Sequence, residues 1–390
     1  MIKYAVRGIV FSVFAFVHYC HGADPLDYWV PGAAGTTEDL YGVAWAADDR
    51  FVAVGDNGII LNSTNGIDWV QTASGTTNSL RAIAYGNDQL VAVGAAGTIL
   101  SSTNGTSWVS RSSGTSYPIG AIAFGSGQFV AAGGYWTIDD LGILHRYGTL
   151  LTSRDGTTWT ETTPLWAIRG YDFTSLAFGN GVFLVLATIG NNLQSQEMLV
   201  STNGVDWTEQ PLPTSWLISV GYGDSCFVAV GAFGIVYTSA DGVAWTRRES
   251  GTGAHLDAIT WGNGRFVAVG ATGSLLSSPD GAHWTSHISG LASDLYAAVY
   301  GDGRFVVTGA SGALRRSGPI VRLGPLTMLL DGIAQCELTG PAGQNCAIEA
   351  STNLTDWTPL ADLMLTNGRA RFVEPLTNPP SPRFYRAVVP

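Results

Sequence analysis

The sequence predicts an all-β protein: a seven-bladed β-propeller closed by an N-terminal strand, followed by a small β-sandwich. Two observations carry this prediction. A phrase of the form Ser-x-(Asn/Asp)-Gly-x-x-Trp occurs six times, and its tryptophans are 39, 51, 48, 38 and 39 residues apart. A period of about 40 residues filled with strand-like sequence is typical of propeller blades. The six copies are Ser63–Trp69, Ser102–Trp108, Ser153–Trp159, Ser201–Trp207, Ser239–Trp245 and Ser278–Trp284.

Each repeat contains short runs rich in Val, Ile and aromatic residues and bounded by Gly, Asn and Asp, which is the pattern of β-strands. The second strand is the clearest, because Phe51–Gly55, Phe227–Gly231 and Phe266–Gly270 all read Phe-Val-Ala-Val-Gly. The starts of the first strands predict seven blades. They lie near Leu40, Leu80, Ile119, Phe173, Leu217, Leu256 and Leu295.

The last blade is completed from the other end of the chain. The seventh repeat reaches Ser317 without a tryptophan strand, whereas the sequence around Trp29 copies that around Trp69, 40 residues later. We therefore predict that the Trp29 segment is the outer strand of the blade that begins at Leu295. This pairing leaves no open edge between the first and last blades, and so removes an aggregation hazard.

The repeated phrase has a structural explanation. An Asn or Asp side chain accepts hydrogen bonds from N–H groups of its own turn, Gly tolerates a positive φ there, and Trp buries a large flat surface. We therefore predict scaffold roles for both sets of repeated residues. They are Asn65, Asn104, Asp155, Asn203, Asp241 and Asp280, with Trp69, Trp108, Trp159, Trp207, Trp245 and Trp284.

The repeats resemble the Asp-box propeller families, which include the BNR repeats of sialidases and the repeats of photosystem II assembly factors. Gly55–Trp69 and Gly270–Trp284 show the likeness best, and it covers about residues 27–317. The phrase is one residue shorter between Ser and Trp than the usual box. Sialidases also need an arginine triad, a tyrosine nucleophile with its glutamate, and an acid/base aspartate. No arginine-bearing motif precedes the repeats, so the resemblance implies the fold and not sialidase activity.

Residues 1–23 are predicted to be a secretory signal peptide. They carry Lys3 and Arg7, then the apolar run Ile9–Val17, then small residues before Asp24. A run of nine residues is too short to span a bilayer. We therefore expect a secreted, periplasmic or cell-surface protein with no transmembrane segment in the mature chain.

The charge of the mature chain argues against nucleic acid as a partner. The whole chain has 19 basic and 30 acidic residues. Removal of Lys3 and Arg7 leaves 17 arginines and a net charge of −13. An acidic surface without lysine is poorly suited to phosphate backbones.

The repeat pattern covers residues 24–318, and we predict a linker at 319–325 and a separate β-sandwich at 326–390. This last segment resembles immunoglobulin-like or fibronectin type III modules at the C-termini of exported bacterial proteins. The text of Ile348–Trp357 and the final Phe384-Tyr385-Arg386 carry the likeness.

The cysteines predict one disulfide or none. Cys336 and Cys346 flank a Gly-Pro-Ala-Gly segment, and they are expected either to bridge across a hairpin in an oxidising compartment or to be two buried thiols. Their spacing is not that of a zinc site, since the chain has no Cys-x-x-Cys pair and its histidines are scattered. We expect no metal and no cofactor.

Candidate ligand-binding residues lie in blades three and four, which carry the long insertions. We expect loops at Tyr135–Tyr147, Thr162–Asp172, Ile189–Gln196 and Pro211–Trp216 to open on one face, and long loops on a rigid scaffold are where function concentrates. Aromatic, acidic, amide and arginine side chains suit either sugar rings or a protein interface. The candidates are Trp136, Asp139, Asp140, His145, Arg146, Tyr147, Trp166, Arg169, Tyr171, Asp172 and Trp216.

The sequence favours an exported recognition or scaffolding protein that binds a protein or a glycan through this loop face, without catalysis. The alternative is a glycan-active enzyme, a glycoside hydrolase or sialidase-like protein, in which Asp139, Asp140 or Asp172 act as acid and base. Paired carboxylates perform such hydrolysis when they lie about 5–10 Å apart across the bond. No fixed spacing supports a catalytic set, so no catalytic residue is assigned.

Overall fold

The computed structural model describes residue 26 and the ranges 29–46, 49–140, 144–164, 171–189, 195–214, 216–318, 322–324, 327–328, 333–339, 345–352, 356–375 and 384–388. The predicted signal peptide at 1–23 lies outside these residues. The chain divides into two compact units that separate after Gly318. The first is Pro25–Gly318, and the second contains Pro319–Pro390.

The described strands of the first unit form seven four-stranded antiparallel sheets, here numbered 1 to 7. In each sheet the strands are numbered from the first, which pairs only with the second, to the fourth, which pairs only with the third. They are Leu40–Ala46, Arg50–Gly55, Ile60–Ser63 and Val70–Thr72; Leu80–Gly86, Gln89–Gly94, Ile99–Ser102 and Val109–Arg111; Ile119–Gly125, Gln128–Ile138, Leu144–Ser153 and Thr160–Glu161; Tyr171–Gly179, Val182–Ile189, Ser195–Ser201 and Thr208–Pro211; Leu217–Gly223, Cys226–Gly231, Ile235–Ser239 and Thr246–Glu249; Leu256–Gly262, Arg265–Gly270, Ser274–Ser278 and Thr285–Ile288; and Leu295–Gly301, Arg304–Gly309, Leu314–Ser317 and Trp29–Pro31.

The second strand of each sheet lies at the centre of the core. In sheet 1, Phe51, Val52, Ala53 and Val54 are all fully buried, so both faces of this strand are covered. A strand buried on both faces needs a continuous apolar run rather than alternation. This is why Phe-Val-Ala-Val-Gly recurs as a block.

The connection between the second and third strands differs between two groups of sheets. In sheets 1, 2, 5, 6 and 7 it is a three-residue 3₁₀ turn whose central residue has positive φ. In sheets 3 and 4 the strands themselves continue, and the sheet 3 hairpin pairs as far as Ile138 and Leu144. The expectation of a loop over Tyr135–Tyr147 is therefore wrong, because added chain of this length satisfies its backbone groups by extending the ladder. The turns are Asp56–Gly58, Ala95–Gly97, Ala232–Gly234, Ala271–Gly273 and Ala310–Gly312.

The N-terminal strand pairs with the last repeat, as predicted. Trp29 lies opposite Ser317 in an antiparallel register. Its ring is buried, and its Nε1 donates a hydrogen bond to the carbonyl of Leu26 at 2.8 Å. Each first strand contacts the first strand of the next sheet, and that of sheet 7 contacts that of sheet 1.

Neighbouring first strands pack through an aromatic ring placed on a glycine. The ring of one strand covers the Cα of the glycine that ends the preceding first strand. A Cβ added at any of these glycines would lie 2.0–2.3 Å from the nearest carbon of the aromatic ring, which is too close for any side chain. Sheet 1 carries Ala46 at this position. The pairs are Gly86 with Phe124, Gly125 with Phe178, Gly179 with Tyr222, Gly223 with Trp261, Gly262 with Tyr300, and Gly301 with Trp45.

The second unit contains two small antiparallel sheets around its own apolar core. The Ile333–Thr339 strand pairs with its neighbours in one sheet, and the Asn345–Ser351 strand in the other. Cys336 and Cys346 are thus not hairpin partners. Of the two alternatives, the structure has two buried thiols and no disulfide between them. The sheets contain Arg322–Leu323, Thr327–Met328, Ile333–Thr339 and Arg369–Pro375, and Asn345–Ser351, Thr358–Met364 and Phe384–Val388.

Replacing Gly125 by Ala should destabilise the propeller by about 1–3 kcal/mol, the usual range for overpacking, because the new methyl group meets the Phe178 ring. Denaturant unfolding followed by tryptophan fluorescence measures the change. Gly120→Ala in the same strand is the matched control, since its nearest neighbour is the carbonyl of Phe173 at 3.9 Å. Equal losses in both variants would contradict the ring-on-glycine contact.

Candidate functional site

The repeated phrase forms a closed turn between the third and fourth strands. In sheet 3, Ser153 Oγ donates to Asp155 Oδ1 at 3.0 Å and accepts from the N–H of Gly156 at 2.9 Å. Asp155 Oδ1 also accepts from the N–H groups of Thr157 and Thr158, both at 2.8 Å. The bond from the Ser hydroxyl to the Asx side chain, and those from two N–H groups to that side chain, recur in the other copies, as at Ser278 and Asp280. These side chains are therefore occupied within their own turns.

The turns also contact the neighbouring sheet. A Cβ on Gly156 would lie 2.9 Å from Val91 of sheet 2, and one on Gly66 would lie 3.1 Å from Arg316 of sheet 7. Arg316 Nη1 donates to the carbonyl of Asn65 at 3.1 Å. The register places the turns at the start of the second strands, away from the 3₁₀ turns and extended hairpins. They are scaffold contacts at the opposite end of the sheets.

These bonds stabilise the ionised form of the aspartates. The N–H groups of Thr158 and Thr157 lower the pKa of Asp155 well below its usual range. Those of Ala244 and Val243 lower the pKa of Asp241. For Asp280 burial opposes the shift, but hydrogen bonds from His283 and Ala282 outweigh it and the pKa is lowered.

The extended hairpin of sheet 3 brings several predicted site residues together. Tyr135 stacks on Tyr147 with ring centroids 5.0 Å apart, and Tyr117 lies 4.7 Å from Tyr135. His145 Nε2 lies 3.0 Å from Asp139 Oδ2. Asp140 is exposed, and the backbone of Trp136 pairs with Arg146. These contacts fix the shape of the hairpin.

One ion pair joins sheets 3 and 4. Arg146 Nη1 lies 3.6 Å from Asp172 Oδ2, and the arginine side chain is 2% exposed. Burial raises the pKa of Asp172, and the guanidinium opposes that shift. Asp172 belongs to the first strand of sheet 4 rather than to a loop. The pair therefore joins the two sheets.

The next predicted residue, Tyr171, is held by two acids that sequence reasoning missed. Its hydroxyl lies 3.2 Å from Glu197 Oε2 and 2.9 Å from Glu209 Oε1. Burial, then the charge of Glu209, raises the pKa of Glu197. The acids come from the third and fourth strands of sheet 4. Trp166 and Arg169 lie outside the described residues, so their placement stays a prediction.

Trp216 belongs to an exposed aromatic cluster beside the first strand of sheet 5. Its ring lies 5.9 Å from that of Phe233, which lies 5.2 Å from the ring of His255. Trp216 is 42% exposed and Phe233 is 62% exposed. Phe233 occupies the central position of its 3₁₀ turn with φ 57°. The equivalent turns place Asn57, Ala96, Thr272 and Ser311 there.

A cavity of about 630 Å³ opens at the same end of the sheets, lined by residues of the seven first strands. In every first strand one residue is skipped in the register with the second strand. Such a bulge turns its side chain away from the ladder. The seven bulged residues, which all line the cavity, are Tyr41, Arg81, Gly120, Thr174, Ile218, Asp257 and Tyr296.

The chemistry of this cavity is concentrated on sheets 6, 7, 1 and 2. Tyr41 and Tyr296 stack with centroids 5.4 Å apart, and Arg81 Cζ lies 4.0 Å over the Tyr41 ring. Tyr41 donates to Asp56 Oδ2 at 2.9 Å, which fixes its orientation. Sequence reasoning missed these residues. The sequence does contain a signal for them. Each repeat opens with a buried apolar residue, and the position directly after it is the one that varies from repeat to repeat.

The described residues include no group of three or more His, Cys, Asp or Glu side chains placed to hold a metal ion. Within the same residues, no helix has the length and apolar character needed to cross a membrane.

Comparison with known proteins identifies the fold. No family model and no curated protein matches the sequence. The structure is similar to YCF48 from Cyanidioschyzon merolae, with a TM-score of 0.56 and 17% identity over 74% of this chain and 98% of that one. It is similar to YCF48 bound to D1 peptide, with a TM-score of 0.57 and 17% identity over 75% of this chain and 96% of that one. It is also similar to the WD40 β-propeller domain of Doa1, with a TM-score of 0.52 and 13% identity over 74% of this chain and 95% of that one. The first unit therefore has a β-propeller fold.

Changing Asp155, Asp241 and Asp280 together to Asn should flatten the acid dependence of stability. Each aspartate has a folded pKa below the unfolded value of about 3.9, so its stabilisation is present above that pH and is lost as pH falls through the folded pKa. Unfolding free energies measured from pH 5 to 2 should therefore fall less in the variant than in the wild type. The reciprocal change Asn104→Asp should steepen the fall, and an unchanged slope in both would contradict this account.

Proposed function

We propose that this chain is an exported, non-enzymatic recognition or scaffolding protein that binds a protein ligand. The binding face is the end of the sheets that carries the cavity, the sheet 3 and 4 hairpins and the aromatic cluster. In this proposal residues 1–23 direct export, and sheets 1 to 7 are the blades of a closed propeller. The repeated turns are short relatives of the Asp box, and the second unit is an immunoglobulin-like or fibronectin-like module.

The proposal is carried by the exposed ring of Phe233, which is held at a backbone position that disfavours bulky residues. Its turn requires a left-handed backbone, which is costly for a bulky residue, and its ring stays largely in solvent. Neither backbone preference nor burial therefore accounts for a phenylalanine there. Exposed aromatic rings held rigidly beside each other, as Phe233 is beside Trp216, are typical anchors of protein interfaces.

Two further observations support a protein ligand over glycan hydrolysis. One of the similar propellers, YCF48, has been solved with a bound D1 peptide. Two of the three carboxylates considered for catalysis are also engaged, because Asp139 faces His145 and Asp172 faces the buried Arg146. A general acid needs a carboxyl group that reaches the substrate.

Phe233→Asn should remove the ligand without harming the fold. Asparagine tolerates the left-handed region and already occupies the equivalent place as Asn57. We expect proteins retained from the native cell envelope by the immobilised wild type to fall roughly tenfold or more in the variant, as for loss of an interface anchor. Quantitative mass spectrometry of the retained fraction gives the measurement, with Trp216→Ala as a second disrupting change.

The matched control is Ile288→Thr, which removes an exposed apolar side chain from the fourth strand of sheet 6. Retention should be unchanged there. Equal retention by wild type, Phe233→Asn and Trp216→Ala would remove this face as the site. Binding to a glycan array that disappears in Phe233→Asn would keep the face and replace the protein ligand by a glycan.

A further inference from the structure

The cavity on the proposed binding face contains a carboxylate, that of Asp257, with no hydrogen-bond or ion-pair partner among the described residues. In the described part of the chain, the half-buried Asp257 forms no hydrogen bond and no ion pair. The other acids of this region are bonded. Asp56 accepts from Tyr41 and Ser79, and Asp294 Oδ1 accepts from the N–H of Thr272 at 2.8 Å. Asp257 is therefore the carboxylate that remains available to a ligand.

The residues beside Asp257 form an ordered series around the cavity. The bulged positions of sheets 6, 7, 1 and 2 are Asp257, Tyr296, Tyr41 and Arg81. The two tyrosines stack on each other, and the guanidinium of Arg81 covers Tyr41. One end of the tyrosine pair thus holds a cation, and the other end borders a carboxylate.

We propose that a basic side chain of the protein ligand, arginine or lysine, enters the cavity and binds between Tyr296 and Asp257. This inference rests on the proposed function and names the chemistry of the partner at its anchor point. Each tyrosine of the stacked pair would then contact one positive group, Arg81 on Tyr41 and the ligand cation on Tyr296. The carboxylate of Asp257 would neutralise the ligand cation.

Physical chemistry favours a cation here over a neutral or acidic group. A partly desolvated carboxylate gains from a charge-assisted hydrogen bond, and a tyrosine face attracts a cation within about 6 Å of its centroid. Burial raises the pKa of Asp257, with Asp294 adding to the shift and His255 opposing it. Burial also raises the pKa of Tyr296, and four nearby carboxylates add to it, those of Asp39, Asp294, Asp257 and Asp56. An apolar or acidic ligand group would leave the carboxylate of Asp257 desolvated and unpaired, which is costly.

The cavity has room for a side chain. A volume of about 630 Å³ lies within the usual range of ligand pockets, which is enough for one long side chain with its water. In the proposed complex the rest of the ligand lies on the surrounding face, where Phe233 and His255 form an aromatic edge next to the cavity.

The first test is selection of a random nonapeptide phage library on the immobilised full-length protein. We expect the selected peptides to share one Arg or Lys position. Asp257→Asn, an isosteric change that removes the charge, should abolish this preference. The control Asp88→Asn makes the same charge change in the turn at the far end of sheet 2, where Asp88 accepts from Tyr85, and should keep the preference.

The second test measures the strongest selected peptide by calorimetry, with its basic residue as arginine and as the neutral isostere citrulline. For the wild type, and for Asp88→Asn, we expect citrulline to bind about tenfold more weakly, a cost of about 1.4 kcal/mol. In Asp257→Asn the two peptides should bind within about twofold of each other, because the coupled charge is gone. Raising the salt concentration should weaken only the arginine peptide.

The outcomes separate this inference from the proposed function. Peptides that share no basic position, or a citrulline penalty that persists in Asp257→Asn, would overturn the inference. If Phe233→Asn abolishes binding and Asp257→Asn leaves it intact, the proposed face stands and only the basic anchor fails. If neither change affects binding, both fail.

Discussion

The first unit depends on one repeated contact, in which an aromatic ring of one sheet lies on the glycine that ends the preceding first strand. The contact leaves no room for a Cβ, so it sets the separation of neighbouring sheets at their inner strands. The same contact joins Gly301 to Trp45, from the last sheet to the first. Because packed interiors tolerate little change in volume, a side chain added at one of these glycines would have to displace the neighbouring ring.

The fold was predictable because its information is local and repeated. The buried second strand, the Asx-Gly turn and the tryptophan recur as text, and the copy at Trp29 identified the partner of the strand that ends at Ser317. The hairpin of sheet 3 was not predictable in the same way. The length of this repeat shows only that residues are inserted, not what structure they form. The segment Tyr135–Ile138 pairs as a strand although it lacks the continuous apolar sequence that marks the buried second strands.

The proposed binding site was predictable only in part, and the reason is geometric. Trp216 and the sheet 3 tyrosines follow from long insertions, which stand out in sequence. The cavity residues do not, because each repeat contributes one side chain and neighbours such as Tyr41 and Tyr296 are 255 positions apart. Phe233 was hidden for a different reason. It occurs inside a regular turn, and only the positive φ and the exposure of its ring distinguish it.

The two ends of the sheets differ in how their polar groups are used, and the proposed binding face is the end where fewer of them are satisfied. At the end that carries the repeated turns, serine and Asx side chains satisfy one another and their own backbone, as Ser153 and Asp155 do. At the other end the bulges release one side chain per sheet from the ladder, and Asp257 keeps hydrogen-bonding capacity that the described chain does not use. A partly buried charge without a hydrogen bond or ion pair is costly unless something pairs with it. In the proposed complex a ligand supplies that cation, so the carboxylate of Asp257 and the exposed ring of Phe233 favour the same binding face.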